Sequence, residues 1–113
     1  NTATAAAITP LRDAHPALPL VGVEPALKPA AAQTRTGHVG VMATRGTLES
    51  GKFGALQASL AGQARFVLQA CDGLAEAIEQ GDATKTVALC TRYTGFMGRF
   101  GTGADAIDTL VLG

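Results

Sequence analysis

The stretch that decides the fold is His38-Val39-Gly40-Val41-Met42-Ala43-Thr44-Arg45-Gly46-Thr47. Its first six residues form a continuous apolar run, the pattern of a strand covered on both faces rather than the alternation of a half-exposed one. Two hydroxyls and a glycine follow, opening onto a helical stripe in which Phe53, Leu56 and Leu60 recur at i, i+3 and i+7. Thr47 is the expected N-cap of that helix. A strand that passes through a short turn into a helix is the unit of a parallel α/β sheet.

Working outward, the same unit recurs. Phe66 to Ala70 reads as a further strand, and Leu74, Ala77 and Ile78 give the next helix an apolar face that ends near Gly81. A longer helix follows with Leu89, Tyr93, Phe96 and Phe100 on one stripe and Cys90 and Met97 beside it, so it is expected to be well buried, Cys90 included. Gly101-Thr102-Gly103 should break it, and Thr109 to Leu112 reads as a last, fully buried strand. Upstream, Thr2 to His15 is helix-prone around Pro10, and Leu20 to Val23 reads as a short strand stopped by Glu24-Pro25. Leu27 to Gln33 completes the series as a short helix. The fold class is therefore α/β with a mainly parallel sheet, whose ligands bind beyond the carboxyl ends of the strands.

Composition narrows the function. The 113 residues carry nine Lys+Arg against nine Asp+Glu, and only 16% are charged, so no basic field exists to hold a polyanion. With no Trp, four Phe and one Tyr, base-stacking platforms are missing as well, and nucleic acid is not an expected partner. Hydrophobic residues make up 47%, which is ample for a folded core. No apolar run approaches the roughly 20 residues of a membrane span, and Ala5-Ala6-Ala7-Ile8 lacks the basic flank of a signal peptide. No membrane partner is expected, and the location expected is the cytoplasm. Cys71 and Cys90 have neither C-x-x-C spacing nor clustered histidines, so no metal site and no disulfide framework is expected.

Few residues are placed for chemistry. Asn1-Thr2-Ala3-Thr4 puts an amide and two hydroxyls at an expected helix start, where free N–H groups attract anions. Thr44 and Thr47 repeat that arrangement after an internal strand, without the Gly-Lys-Ser/Thr ending of a phosphate loop. In both places ordinary capping and a carboxylate or phosphate site remain open. Cys71 stands at a ligand-facing strand end, although free cysteine is usually buried. His15 and His38 are isolated, and Glu49, Glu76 and Glu79 read as solvated charges.

Taken in order, Asn1-Thr2-Ala3-Thr4-Ala5, Val21-Gly22-Val23-Glu24-Pro25-Ala26-Leu27-Lys28-Pro29-Ala30, Ala43-Thr44-Arg45-Gly46-Thr47-Leu48, Gln69-Ala70-Cys71 and Leu110-Val111-Leu112-Gly113 resemble glutamate racemase. The match runs along essentially the whole chain, and the ordered set is far more specific than any one motif. Asp72-Gly73 depart from it, standing where many relatives place proline.

The resemblance implies a two-domain fold of flavodoxin-like halves, with residues 1–23 in the tail of the first domain and 24–113 forming most of the second. It implies cofactor-independent interconversion of L- and D-glutamate by two thiols, supplying D-glutamate for peptidoglycan in a bacterial cytoplasm, in an enzyme that commonly forms homodimers. One catalytic cysteine is expected immediately before Asn1 and the other immediately after Gly113. The segment is then an excerpt, inactive alone, and Cys71 and Cys90 are not the catalytic pair. Asn1, Thr2, Thr44 and Thr47 would bind substrate, and Glu79 would support the acid/base machinery. An aspartate or other racemase of the same family, or a non-catalytic module that holds a small anion on Thr44 and Thr47, is the alternative.

Overall fold

A computed structural model describes residues 1–113, in nine elements. They are α1 (Thr2–Ala14), α2 (Leu27–Gln33), β1 (His38–Ala43), α3 (Arg45–Leu48), α4 (Gly51–Ser59), β2 (Arg65–Ala70), α5 (Leu74–Glu79), α6 (Ala83–Met97) and β3 (Thr109–Leu112). The three strands form one parallel sheet in the order β2-β1-β3, with Val41 opposite both Leu68 and Val111. The apolar run quoted above is the central strand, and five of its six residues are buried.

Alternation along β1 sends side chains to two separate cores. Val39 and Val41 join Leu27 and Ala30 of α2, Phe53 of α4, Leu60, and Val111 of β3. Met42 points the other way, into a smaller cluster with Cys71, Met97 of α6, and Ile107. Gly40 faces this second side, where a methyl group would come within 2.7 Å of Met97 Cε and 3.0 Å of Leu110 Cδ1. A larger residue there would have to push aside the ends of the Met97 and Leu110 side chains, because α6 and β3 crowd the strand.

Four expectations need correction. Leu20 to Val23 form no strand: Val21 and Val23 are exposed, and the Val23 N–H is taken by the Thr4 hydroxyl at 2.9 Å rather than by a neighbouring strand. Extended backbone without a ladder partner is not a strand. The helix expected from a Thr47 cap is two short helices. Thr44 caps α3 through the Thr47 N–H, and Ser50 caps α4 through the Phe53 N–H.

The third correction concerns α6, which packs on α5 and β2 along one flank only. Its buried residue is Met97, Cys90 is half-buried, and Phe96 and Val87 lie in solvent. The helix ends at Gly98, before the glycines expected to break it, and leaves Phe100 in a bridge to Ile107. Lastly, β3 is an edge strand: Val111 is buried, but Leu112 is 76% exposed and Leu110 is exposed too. An apolar run records what a strand can tolerate, not which of its faces the chain covers.

Topology fixes where a ligand can sit. α3 and α4 lead from β1 to β2, and α5 and α6 lead from β2 back past β1 to β3. The chain leaves β1 toward one edge and returns past it to the other, so the carboxyl ends of β1 and β3 lie side by side, at the end of the sheet where ligands of such folds bind.

Candidate functional site

Three threonine hydroxyls close a triangle at that end of the sheet. Thr2 Oγ1 lies 2.5 Å from Thr44 Oγ1 and 2.9 Å from Thr47 Oγ1, and Thr44 and Thr47 are 3.0 Å apart. The first hydroxyl comes from the start of α1, the other two from the turn after β1, more than 40 positions further along the chain. Each hydroxyl can donate one hydrogen bond and accept two. One of these hydroxyls can therefore donate to an entering carboxylate while the other two keep their protons within the triangle. Thr47 is 2% exposed and is the buried polar residue of the molecule, which fixes its rotamer.

Asn1 occupies the N-cap position of α1, yet its side chain makes no capping bond. Its Oδ1 is shut off from solvent and has no hydrogen-bond partner. A buried acceptor left alone costs about 1–3 kcal/mol unless something donates to it. Gly113 completes the wall: its N–H is held by Met42 O at 2.9 Å, and a methyl group on it would lie 3.4 Å from Asn1 Nδ2 and 3.2 Å from Ala43 Cβ. Asn1, Thr2, Thr44, Thr47 and Gly113 thus converge, although they come from three separated stretches of chain.

At the second motif one side chain has two contacts, since Thr44 caps α3 while its hydroxyl belongs to the triangle. Glu79 is brought no closer: it is exposed at the end of α5, where its neighbour Ile78 lines a groove of about 370 Å³ with Thr44, Cys71, Cys90 and Gly113. Cys71 is buried, its thiol donates weakly to Gln69 O at 3.4 Å, and burial pushes its pKa upward. That suits a packed thiol rather than a nucleophile. His15 is exposed, and His38 is half-buried with Nδ1 3.1 Å from Thr36 O, so neither joins the site. No cluster of three His, Cys, Asp or Glu side chains is placed to hold a metal.

Two features had little signal in the sequence. Arg45 donates to Asp72 at 2.8 Å, linking the turn after β1 to the turn after β2, where composition marks only two exposed charges. Asp108 accepts from the Thr34 hydroxyl at 2.5 Å and from the N–H groups of Arg35 and Thr36 at 2.8 and 3.0 Å. Its partners lie more than 70 positions away, beyond any local pattern.

Fold and site define a parallel α/β protein with three clustered threonine hydroxyls beyond the carboxyl end of its central strand. No protein-family model matches the chain. Over all 113 residues it is 60% identical to the glutamate racemase of Pseudomonas putida strain W619 and 50% identical to that of Ectopseudomonas mendocina. In each case it spans 42% of the relative's length. The crystal structure of Escherichia coli glutamate racemase in complex with L-glutamate and the activator UDP-MurNAc-Ala superposes with a TM-score of 0.60 at 34% identity, over 85% of this chain and 36% of that one. In sequence and in structure the chain fits a segment of glutamate racemase.

Proposed function

We propose that the full protein to which this segment belongs is a glutamate racemase, interconverting L- and D-glutamate without a cofactor and supplying D-glutamate for peptidoglycan in the bacterial cytoplasm. The observation that carries the proposal is the convergence of Asn1 and Gly113 on the Thr2–Thr44–Thr47 triangle. A cysteine immediately before Asn1 and another immediately after Gly113 would stand close together at one carboxylate-binding crevice. Inversion at an α-carbon needs such a pair: one thiolate takes the proton from one face of the carbon while the opposite thiol delivers a proton to the other.

Each residue has a part. The cysteine before Asn1 would sit at the N-terminal end of the 13-residue α1, where the helix dipole favours its thiolate. Asn1 and Thr2 would take the amino or carboxylate groups of the substrate, and the unpartnered Asn1 Oδ1 suits an ammonium donor. Thr44 and Thr47 would hold a carboxylate and oppose the charge that develops as the α-proton leaves. Glu79 would support the second thiol from α5. Residues 1–23 would belong to the first domain and 24–113 to the second, in a homodimer. No helix here is long and apolar enough to cross a membrane.

The test is proton exchange at the α-carbon of glutamate in deuterated water, catalysed by the full-length protein and followed by mass with chiral separation of the product. Conversion of L- to D-glutamate with solvent deuterium incorporated is expected, and Thr44→Val should lower kcat/KM by about 10²-fold. Exchange that persists undiminished in Thr44→Val would remove the triangle from the mechanism. A full-length protein that binds glutamate without exchange would be an anion-binding module instead.

A further inference from the structure

We propose that Asp72 is a positioning residue that sets the affinity of the anion site by withholding Arg45 from it; the inference rests on the reading of that site as carboxylate-binding. Arg45 directly follows Thr44 and is the first residue of α3, so its guanidinium is the nearest cation in sequence to the hydroxyl triangle. The side chain is turned to Asp72 at 2.8 Å, with Glu49 at 3.8 Å from its other nitrogen. Two carboxylates around one guanidinium leave Arg45 itself with no free positive charge to offer the site.

Asp72 is held for this task from two sides. Its main-chain carbonyl accepts from the Tyr93 hydroxyl of α6 at 2.6 Å, and the preceding Cys71 N–H is bonded to Ala43 O at 2.9 Å. The backbone that carries Asp72 is therefore anchored by sheet and helix, and its exposed carboxylate meets the Arg45 side chain. A guanidinium released one residue from Thr44 has the planar donor fork that binds a carboxylate through two parallel hydrogen bonds. Neutral hydroxyls hold the same carboxylate more weakly. Asp72 thus keeps the site in the weaker regime, in which product leaves as readily as substrate enters.

The experiment compares the full-length wild type with Asp72→Asn, Arg45→Gln and the double variant. Binding of glutarate, a dicarboxylate without an α-amino group, is measured calorimetrically, and KM and kcat for glutamate are measured at low and high salt. Asp72→Asn should bind glutarate about threefold to tenfold more tightly at low ionic strength, with KM falling in parallel. The gain should vanish at about 0.5 M salt and in the Arg45→Gln background, which a merely structural loss would not produce. Unchanged or weaker binding in Asp72→Asn, a gain that survives Arg45→Gln, or no glutarate binding by either protein overturns the assignment. Wild type that binds glutarate but does not racemise glutamate fails the racemase proposal alone, and the Asp72 comparison still reads out.

Discussion

Cys71 and Cys90 show how environment separates two residues of one type. Both line the same groove, but Cys71 is 6% exposed and Cys90 is half-buried on α6. Burial raises the Cys71 pKa, and the neighbouring Cys90 adds to the rise, so less of it is thiolate at neutral pH. Iodoacetamide should therefore label Cys90 at least about tenfold faster than Cys71, since the Cys71 thiol is both buried and held protonated. Peptide mass spectrometry of the full-length chain during labelling reads both rates, and equal rates would contradict the burial seen here. The threonines make a similar point. Thr44 and Thr47 are legible from sequence as caps of a turn, yet only the fold brings in Thr2 and converts capping residues into a closed set of donors.

Among the elements, the loop between α2 and β1 depends on one carboxylate. Asp108 lies just ahead of β3 and receives hydrogen bonds from Thr34, Arg35 and Thr36, with the Thr109 hydroxyl adding a fourth at 3.0 Å. The Thr34 hydroxyl foremost, and then the backbone donors, hold its pKa well below the ordinary 3.8. For a lowered carboxylate the contribution to stability is fully present above the unfolded value and is lost as pH falls through the folded one. The Arg35 and Thr36 amide resonances should therefore keep their positions through pH 3.8 and move only in stronger acid. In Asp108→Asn they should be displaced at neutral pH and show no such transition. A midpoint at the ordinary carboxylate value in the unaltered chain would show that the clasp is absent in solution.

The molecule as a whole is flat, with principal extents of 49 × 38 × 19 Å and a radius of gyration of 15.6 Å. A compact chain of this length has a radius near 13 Å. Its accessible surface of 6983 Å² likewise exceeds the roughly 5,800 Å² of a compact monomer of this mass. Large apolar side chains contribute to this surface, with Leu110, Leu112 and Ile78 exposed along the groove and Phe96 and Val87 on α6. Residues 1–113 expressed alone should accordingly bind an apolar dye such as ANS and self-associate as concentration rises, because exposed apolar patches of this kind seek cover. Dye fluorescence and sedimentation check this, and a monomeric, dye-silent polypeptide would mean that the sheet face closes in solution.

The sequence by itself determined the parallel α/β class, β1 as a strand covered on both faces and α2 to the residue, because apolar periodicity and proline or glycine punctuation act over a few neighbouring positions. It also carried the ordered motifs that match glutamate racemase along the whole chain. Which faces are covered was decided only by tertiary structure. β3 has the same apolar run as a buried strand but lies at an edge, α6 has a wide apolar sector but one packed flank, and Leu20 to Val23 have strand composition without a partner. The site was decided there as well: Asn1, Thr2, Thr44, Thr47 and Gly113 are far apart in sequence, and their meeting depends on strand order. Parallel pairing brings all carboxyl ends to one edge, so those of β1 and β3 lie side by side only once the chain has crossed the sheet.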